Sequence, residues 1–296
     1  MRPVKIVSDS CSDLDKHLRE KYDIDYLRMK TIMDGKEQWA SLDFEYYSPK
    51  ELYDYIRAGN RVYTDQVPTA EFERVFGKYA QQGMDIVYIG VSDKQSGTVG
   101  AAQIVAKEMM DKDPDLTIHC INSLNACMGE GLLAIRAAGY RDAGMNADEI
   151  CEKIMSERNN ILEYTTVHNL DTLRRTGRVK ASAAFFGNML GIKPINIADA
   201  AGYQTPIKKV KGRYNSLCEL VNLMKENVIA PEEQCIYIVH SDCLDEAEQL
   251  RNMVMKEIPF KESYISNLGP IIGGAMGPGS LALLAYGKEV TYKVAD

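Results

Sequence analysis

Residues 85–102 read DIVYIGVSDKQSGTVGAA and combine three structural signals in a row. The apolar run 85–91 is typical of a buried strand, and the polar stretch 92–97 is typical of a turn. From Thr98 onward the spacing of apolar residues is helical. A strand that leads through a short turn into a helix is the first half of a right-handed βαβ unit. This stretch therefore predicts an α/β fold with parallel strands.

The same pattern recurs on both sides of that stretch. VKIVSDS at 4–10 and LTIHCINS at 116–123 are strand-like, and helices are predicted over 98–111 and 126–142. Strands separated by helices of this length form a parallel sheet with helices on both faces. We therefore expect an α/β domain over residues 1–155 with a mainly parallel sheet.

The pattern changes after about residue 146. A hairpin is predicted at Ala201-Gly202, and later helices alternate with strands. At 296 residues the chain is long for one hydrophobic core. We therefore expect a second, mixed α/β domain over residues 156–296.

Composition excludes several classes of function. The net charge is −7, from 35 Lys and Arg against 42 Asp and Glu, which disfavours binding to nucleic acid. The seven cysteines and four histidines show no zinc-site spacing, so no metal is expected. The N-terminus lacks the apolar region of a signal peptide, and no run is long enough to cross a membrane. We expect a cytoplasmic protein with reduced thiols.

The turn Ser96-Gly97-Thr98 is a candidate anion site. A helix N-terminus offers unpaired N–H groups and a positive dipole end, and Gly97 lets a ligand approach the backbone. The alternative is that Ser96 or Thr98 only caps its own helix. A second such place is Thr64-Asp65, shortly before a helix predicted to begin at Pro68-Thr69.

A third segment, GPIIGGAMGPGS at 269–280, contains five glycines. Such glycine density indicates either a close approach to the backbone or several turns with positive φ. None of the three segments matches a phosphate-binding P-loop, a dinucleotide-binding loop or the nucleophile elbow of serine hydrolases. ATP binding, NAD binding and serine hydrolysis are therefore disfavoured.

Taken in order along the chain, these segments resemble the DegV family of fatty-acid-binding proteins, which includes the lipid-carrying subunit of bacterial fatty acid kinase. The matching stretches are VKIVSDSCSDL, TDQVPTAEF, GVSDKQSGTVGAA, CINSLNACMGEG, LDTLRRTGRV, GNMLGIKPI and GPIIGGAMGPGS. They span nearly the whole chain. The resemblance implies two α/β domains with a fatty acid buried between them.

The resemblance also implies which residues hold the carboxylate. The family's threonine and serine fall on Thr64 and Ser96, and the turn around Ser96 adds Gly97 and Thr98. The wider head-group region comprises Asp65, Arg178, Ala275 and Gly277. Two of these depart from the family: Ala275 stands where it has histidine, and Asp65 where it usually has serine. Arg178 matches a family arginine, with a helix-terminal cation as the alternative interpretation.

The resemblance also implies an apolar lining for the acyl chain, formed by residues whose pattern is otherwise more typical of an ordinary hydrophobic core. They are Phe186, Met189, Leu190, Ile192, Ile272 and Met276. The function implied is a non-catalytic carrier that presents the fatty acid to a separate, ATP-binding kinase subunit, with no cofactor. The alternatives are a binding protein for another small anionic ligand, and an enzyme acting on a small anionic substrate.

Overall fold

The computed structural model describes residues 2–168, 170–180 and 191–294. It divides into two compact units. Unit 1 comprises residues 1–46, 63–158 and 269–271, and unit 2 comprises residues 47–62, 159–268 and 272–296. Within the described ranges, every helix is too short or too polar to span a membrane. The predicted division between residues 155 and 156 stays a prediction.

The elements follow in chain order. The strands are β1 (Val4–Asp9), β2 (Ile24–Leu27), β3 (Lys30–Met33), β4 (Lys36–Trp39), β5 (Tyr63–Asp65), β6 (Asp85–Gly90), β7 (Ile118–Asn122), β8 (Ile161–Thr166), β9 (Ile192–Ala198), β10 (Gln204–Lys211), β11 (Cys235–His240), β12 (Glu262–Asn267) and β13 (Leu281–Tyr286). The α-helices are α1 (Lys16–Lys21), α2 (Pro49–Arg57), α3 (Thr69–Gln81), α4 (Thr98–Lys112), α5 (Cys127–Asp142), α6 (Ala147–Glu157), α7 (Leu170–Thr176), α8 (Arg213–Asn227), α9 (Leu244–Glu257) and α10 (Pro270–Met276).

Unit 1 is built on a four-stranded sheet in the order β2-β1-β6-β7, and every pairing in it is parallel. Strands β1 and β6 are buried along their whole length, as expected for central strands with helices on both faces. The predicted parallel α/β domain is confirmed. The carboxyl ends of the strands therefore lie at one edge, where ligands bind in such sheets.

A second sheet in unit 1 is antiparallel, in the order β4-β3-β5. Asp34 and Gly35 both have positive φ and join β3 to β4 in a tight hairpin, as their dipeptide favours. Strand β5 is only three residues long and pairs with β3, which places Thr64 opposite Thr31. This small sheet fixes the backbone of the Thr64 segment.

Unit 2 contains a mixed six-stranded sheet in the order β10-β9-β8-β13-β11-β12. Strands β11 and β12 are parallel, and the other pairings are antiparallel. Its core packs β8, β9, β11 and β13 against α8 and α9, with Leu220, Ile238 and Leu250 fully buried. The predicted mixed α/β domain is confirmed, and Gly202 at φ +90° forms the expected hairpin between β9 and β10.

The start of the first helix differs from expectation. The sequence favours an N-cap at Ser12 or Asp13, but Asp15 caps α1 by accepting a hydrogen bond from the Leu18 N–H at 2.9 Å. Asp13 has a φ of +51° and is buried, and its Oδ1 accepts a hydrogen bond from the Gly269 N–H at 2.7 Å. Asp13 therefore binds the Gly269 backbone within unit 1 instead of capping the helix, and α1 begins at Lys16.

Candidate functional site

The turn after β6 is shaped by Ser92. Its carbonyl accepts hydrogen bonds from the N–H groups of Gln95 at 2.9 Å and Ser96 at 3.1 Å. Its hydroxyl accepts one from the Lys94 N–H at 3.2 Å, which is the side-chain turn that serine favours. Ser92 is fully buried, so this turn has a fixed anchor. The turn therefore places Ser96 at the start of α4.

Two hydroxyls meet at that point. Ser96 Oγ lies 2.8 Å from Thr98 Oγ1 and also accepts a hydrogen bond from the Thr98 N–H at 3.3 Å. Thr98 is buried, whereas Ser96 is half-buried. The N-cap residue of α4 is Gly97, which has no side chain to satisfy the first N–H groups of this 15-residue helix. The turn therefore offers a hydroxyl and the positive end of a helix dipole to an anion.

The glycine of this turn lies next to the side chain of Gln66, and its backbone conformation does not itself require glycine. The φ of Gly97 is −74°, which any residue adopts. A Cβ added at this position would lie 2.8 Å from Oε1 of Gln66. The Gln66 amide therefore lies against the backbone of the turn, and this contact brings the Thr64 segment and the Ser96 segment together in unit 1.

Strand β5 separates the side chains of Thr64 and Asp65. Successive side chains of a strand point to opposite faces of its sheet. Thr64 is half-buried, while Tyr63 and Asp65 are exposed. The carboxylate that Asp65 brings beside the predicted site therefore points away from the face that Thr64 occupies.

Beneath the turn lies a buried acidic network that sequence patterns did not reveal. Asp9, at the end of β1, accepts hydrogen bonds from the Tyr88 hydroxyl at 2.7 Å and from the Val91 N–H at 3.2 Å. Glu130 Oε1 accepts one from the Asp9 N–H at 3.0 Å. Burial raises the pKa of Asp9 and raises that of Glu130 well above its usual range. This network joins β1, α5 and the residue from which the turn departs.

A neighbouring loop supports the turn from the side of β7. The Asn125 carbonyl accepts a hydrogen bond from the Ser92 N–H at 2.9 Å, and Asn122 Oδ1 accepts one from the Asp93 N–H at 3.3 Å. The guanidinium of Arg158 in turn donates to the Asn122 carbonyl at 2.9 Å. Two adjacent loops at the carboxyl edge of the sheet therefore hold each other in place.

The remaining predicted residues lie in unit 2 or outside the described ranges. Arg178 is exposed, and its Nη1 donates to the Thr176 carbonyl at 2.5 Å, at the C-terminal end of α7. This contact is the one expected of a helix-terminal cation. Ala275 is half-buried on α10. Gly277 has a φ of +77°, and a Cβ there would meet Thr172 at 2.9 Å, so a turn requires glycine at this position.

Of the predicted acyl-chain lining, three residues are described. Ile272 and Met276 are buried on α10, and Ile192 is half-buried at the start of β9. Phe186, Met189 and Leu190 lie outside the described residues. The lining therefore stays a prediction.

Comparison with known proteins decides the family. A family model described as "Uncharacterised protein, DegV family" matches residues 3–288. The chain belongs to the DegV family. A DegV domain-containing protein of Clostridium perfringens is 36% identical over 287 residues, covering 97% of this chain and 98% of the relative. The family predicted from the sequence motifs is confirmed.

Solved DegV structures share the two-domain α/β fold. One is a fatty-acid-binding DegV family protein of Thermus thermophilus. It aligns with a TM-score of 0.86 at 24% identity, and the alignment covers 97% of this chain and all of that one. The fatty acid kinase B3 protein of Streptococcus pneumoniae, solved with linoleic acid, aligns with a TM-score of 0.82 at 17% identity over 97% of this chain and all of that one. At these identities the likeness shows the fold of this DegV chain.

Proposed function

We propose that this DegV protein binds a long-chain fatty acid and holds its carboxylate at the turn that leads into α4. The observation behind the proposal is the pair of hydroxyls, Ser96 Oγ and Thr98 Oγ1, 2.8 Å apart at a helix N-terminus. Their mutual hydrogen bond uses one hydroxyl proton and leaves the other for a ligand. We propose that the hydroxyl of Thr64 also contacts the carboxylate, together with that of Ser96.

The two ends of a fatty acid contribute differently to affinity. A palmitate-length tail buries about 14 methylenes at roughly 0.8 kcal/mol each, which is about 11 kcal/mol before the costs of association. A hydrogen bond to the charged carboxylate contributes about 1.5–3 kcal/mol. Tail burial therefore decides whether the ligand binds, and the turn decides where its head group lies.

The test is to extract purified protein with organic solvent and identify the released lipid by mass spectrometry. A long-chain fatty acid at near-stoichiometric amount supports the proposal. Native mass spectrometry of delipidated protein, before and after palmitate is added, is the control. A bare chain mass in both spectra would rule out the fatty-acid carrier.

We further propose that the protein is a binding subunit rather than a catalyst. Within the ranges that the structure describes, Ser96 Oγ is hydrogen-bonded to Thr98 and to no histidine or lysine, and a serine nucleophile needs such a base. The chemistry at the carboxylate is then supplied by a separate ATP-binding kinase subunit. Mixing the loaded protein with such a subunit and ATP should yield an acyl phosphate, trapped by hydroxylamine as the hydroxamate.

A different small anion is the second candidate ligand. It is favoured by Ala275, which stands where the family resemblance implies a histidine. The turn at α4 is equally suited to a short carboxylate or a phosphate. Recovery of such an anion in place of a fatty acid in the same extraction would support this alternative.

A further inference from the structure

Two carboxyl groups of unit 1, those of Asp9 and Glu130, are buried in one network. Both residues are fully buried, and Glu130 Oε1 accepts a hydrogen bond from the Asp9 N–H at 3.0 Å. Two negative charges so close together in a solvent-free interior repel each other, and each also loses its hydration. One of the two carboxyl groups is therefore expected to keep its proton.

The hydrogen-bond donors indicate which of the two is charged. Oδ1 of Asp9 accepts from the Cys11 N–H at 2.8 Å. Its Oδ2 accepts from the Tyr88 hydroxyl at 2.7 Å and from the Val91 N–H at 3.2 Å. In contrast, Oε2 of Glu130 is buried and has no hydrogen-bond partner among the described residues. Because donors stabilise a carboxylate charge, the charge belongs on Asp9 and the proton on Oε2 of Glu130.

The groups around Glu130 favour the same assignment. Burial raises its pKa most, and the negative charges of Asp9 and Asp13 raise that pKa further. Within the described ranges, no lysine, arginine or histidine contributes to the pKa of Glu130. Burial and the nearby carboxyl groups also raise the pKa values of the Cys11 thiol and the Tyr88 hydroxyl, so both stay uncharged.

We propose that Glu130 is held as the neutral acid in the folded protein, and that its proton allows Asp9 to carry the single charge of the network. That charge supports the turn after β6, because Asp9 Oδ2 binds the Val91 N–H directly before the buried Ser92. A rise in pH that removes the proton puts a second negative charge beside Asp9. The network is therefore a pH-sensitive support within unit 1, and its test needs no ligand.

The test is Glu130→Gln, which keeps the oxygen that accepts from Asp9 and cannot ionise. Urea unfolding of both proteins is measured from about pH 5 to 9. An unfolded glutamate ionises above its ordinary pKa of 4.5, whereas the folded protein keeps the proton, so a rise in pH favours unfolding. The folding equilibrium constant of wild type should fall relative to the variant by about tenfold per pH unit, until Glu130 ionises in the folded state. Glu152→Gln, at an exposed position of α6, is the matched control and should show no such trend against wild type.

Infrared spectra in heavy water give a second measurement, because a protonated carboxylic acid has a carbonyl band separate from that of carboxylates. We expect this band in folded wild type at neutral pH and expect its loss in Glu130→Gln. A constant ratio of the two folding constants across the pH range would overturn the inference. A band that persists in the variant would also overturn it, because the proton would then lie on another carboxyl group. Should the variant fail to fold, wild type alone decides: the band at neutral pH supports the inference, and its absence overturns it.

Discussion

Replacing Ser96 by alanine separates the two interpretations of the α4 turn. The hydrogen bond from the Thr98 N–H to Ser96 Oγ is long, at 3.3 Å, so its loss should cost about 0.5 kcal/mol of unfolding free energy, the low end for one hydrogen bond. Loss of the hydroxyl that contacts a carboxylate should cost about 1.5–3 kcal/mol of binding free energy. At 1.4 kcal/mol per factor of ten, palmitate affinity should fall about ten- to a hundredfold.

The assay pairs titration calorimetry of palmitate with thermal unfolding of the ligand-free protein. Ser156→Ala is the matched control, because its hydroxyl donates to the Lys153 carbonyl and both residues are exposed on α6. We expect that control to leave palmitate affinity unchanged. Ser96→Ala with lower thermal stability and unchanged affinity would show that the Ser96 hydroxyl only stabilises the start of α4.

Three further predictions follow from other residues. Thr64→Val should weaken palmitate binding by about 1–3 kcal/mol with an unchanged melting temperature, and a change in stability alone would make Thr64 a structural residue of β5. Ala275→His should strengthen palmitate binding by up to about 3 kcal/mol at or below neutral pH, and by less at higher pH because the imidazolium loses its proton. Equal palmitate affinities of wild type and variant in titrations from about pH 6 to 9 would show that residue 275 does not face the carboxylate. Hydrogen bonds with Cys151 and Asp148 raise the pKa of His119 from 6.5 to about 9. Wild type should therefore lose about 1 kcal/mol of unfolding free energy relative to His119→Gln as the pH rises from about 6.5 to about 9, a figure reduced for solvent screening. Urea unfolding at several pH values measures this, and a constant difference would contradict it.

Local patterns were sufficient where neighbours in sequence are neighbours in space. The strand, turn and helix of residues 85–102 follow from periodicity, and Asp34-Gly35 determines its hairpin through positive φ at both residues. The position of Ser96 at the start of α4 follows from the same stretch. These features depend on interactions within a few residues, which a single sequence displays.

Other features depend on partners far apart in the chain. The hydrogen bond from Asp9 to Glu130 joins residues 121 positions apart, and no periodicity marks either carboxylate as buried. The signal that the sequence does contain is weak: each carboxylate is flanked by small residues, Asp9 in SDS at the end of a strand and Glu130 in GEG within a helix. The pairing of β5 with β3, which places Thr64 opposite Thr31, could not be predicted because three residues are too few to show an alternation.

The most direct test of the carboxylate site is a crystal structure of this protein grown with palmitate. Our account predicts one palmitate whose carboxylate oxygen lies within about 3.2 Å of Ser96 Oγ, a normal hydrogen-bond distance, with Thr64 as a second donor. A palmitate whose carboxylate lies away from the α4 turn, or a turn that holds only a small anion in a protein free of lipid, would contradict it.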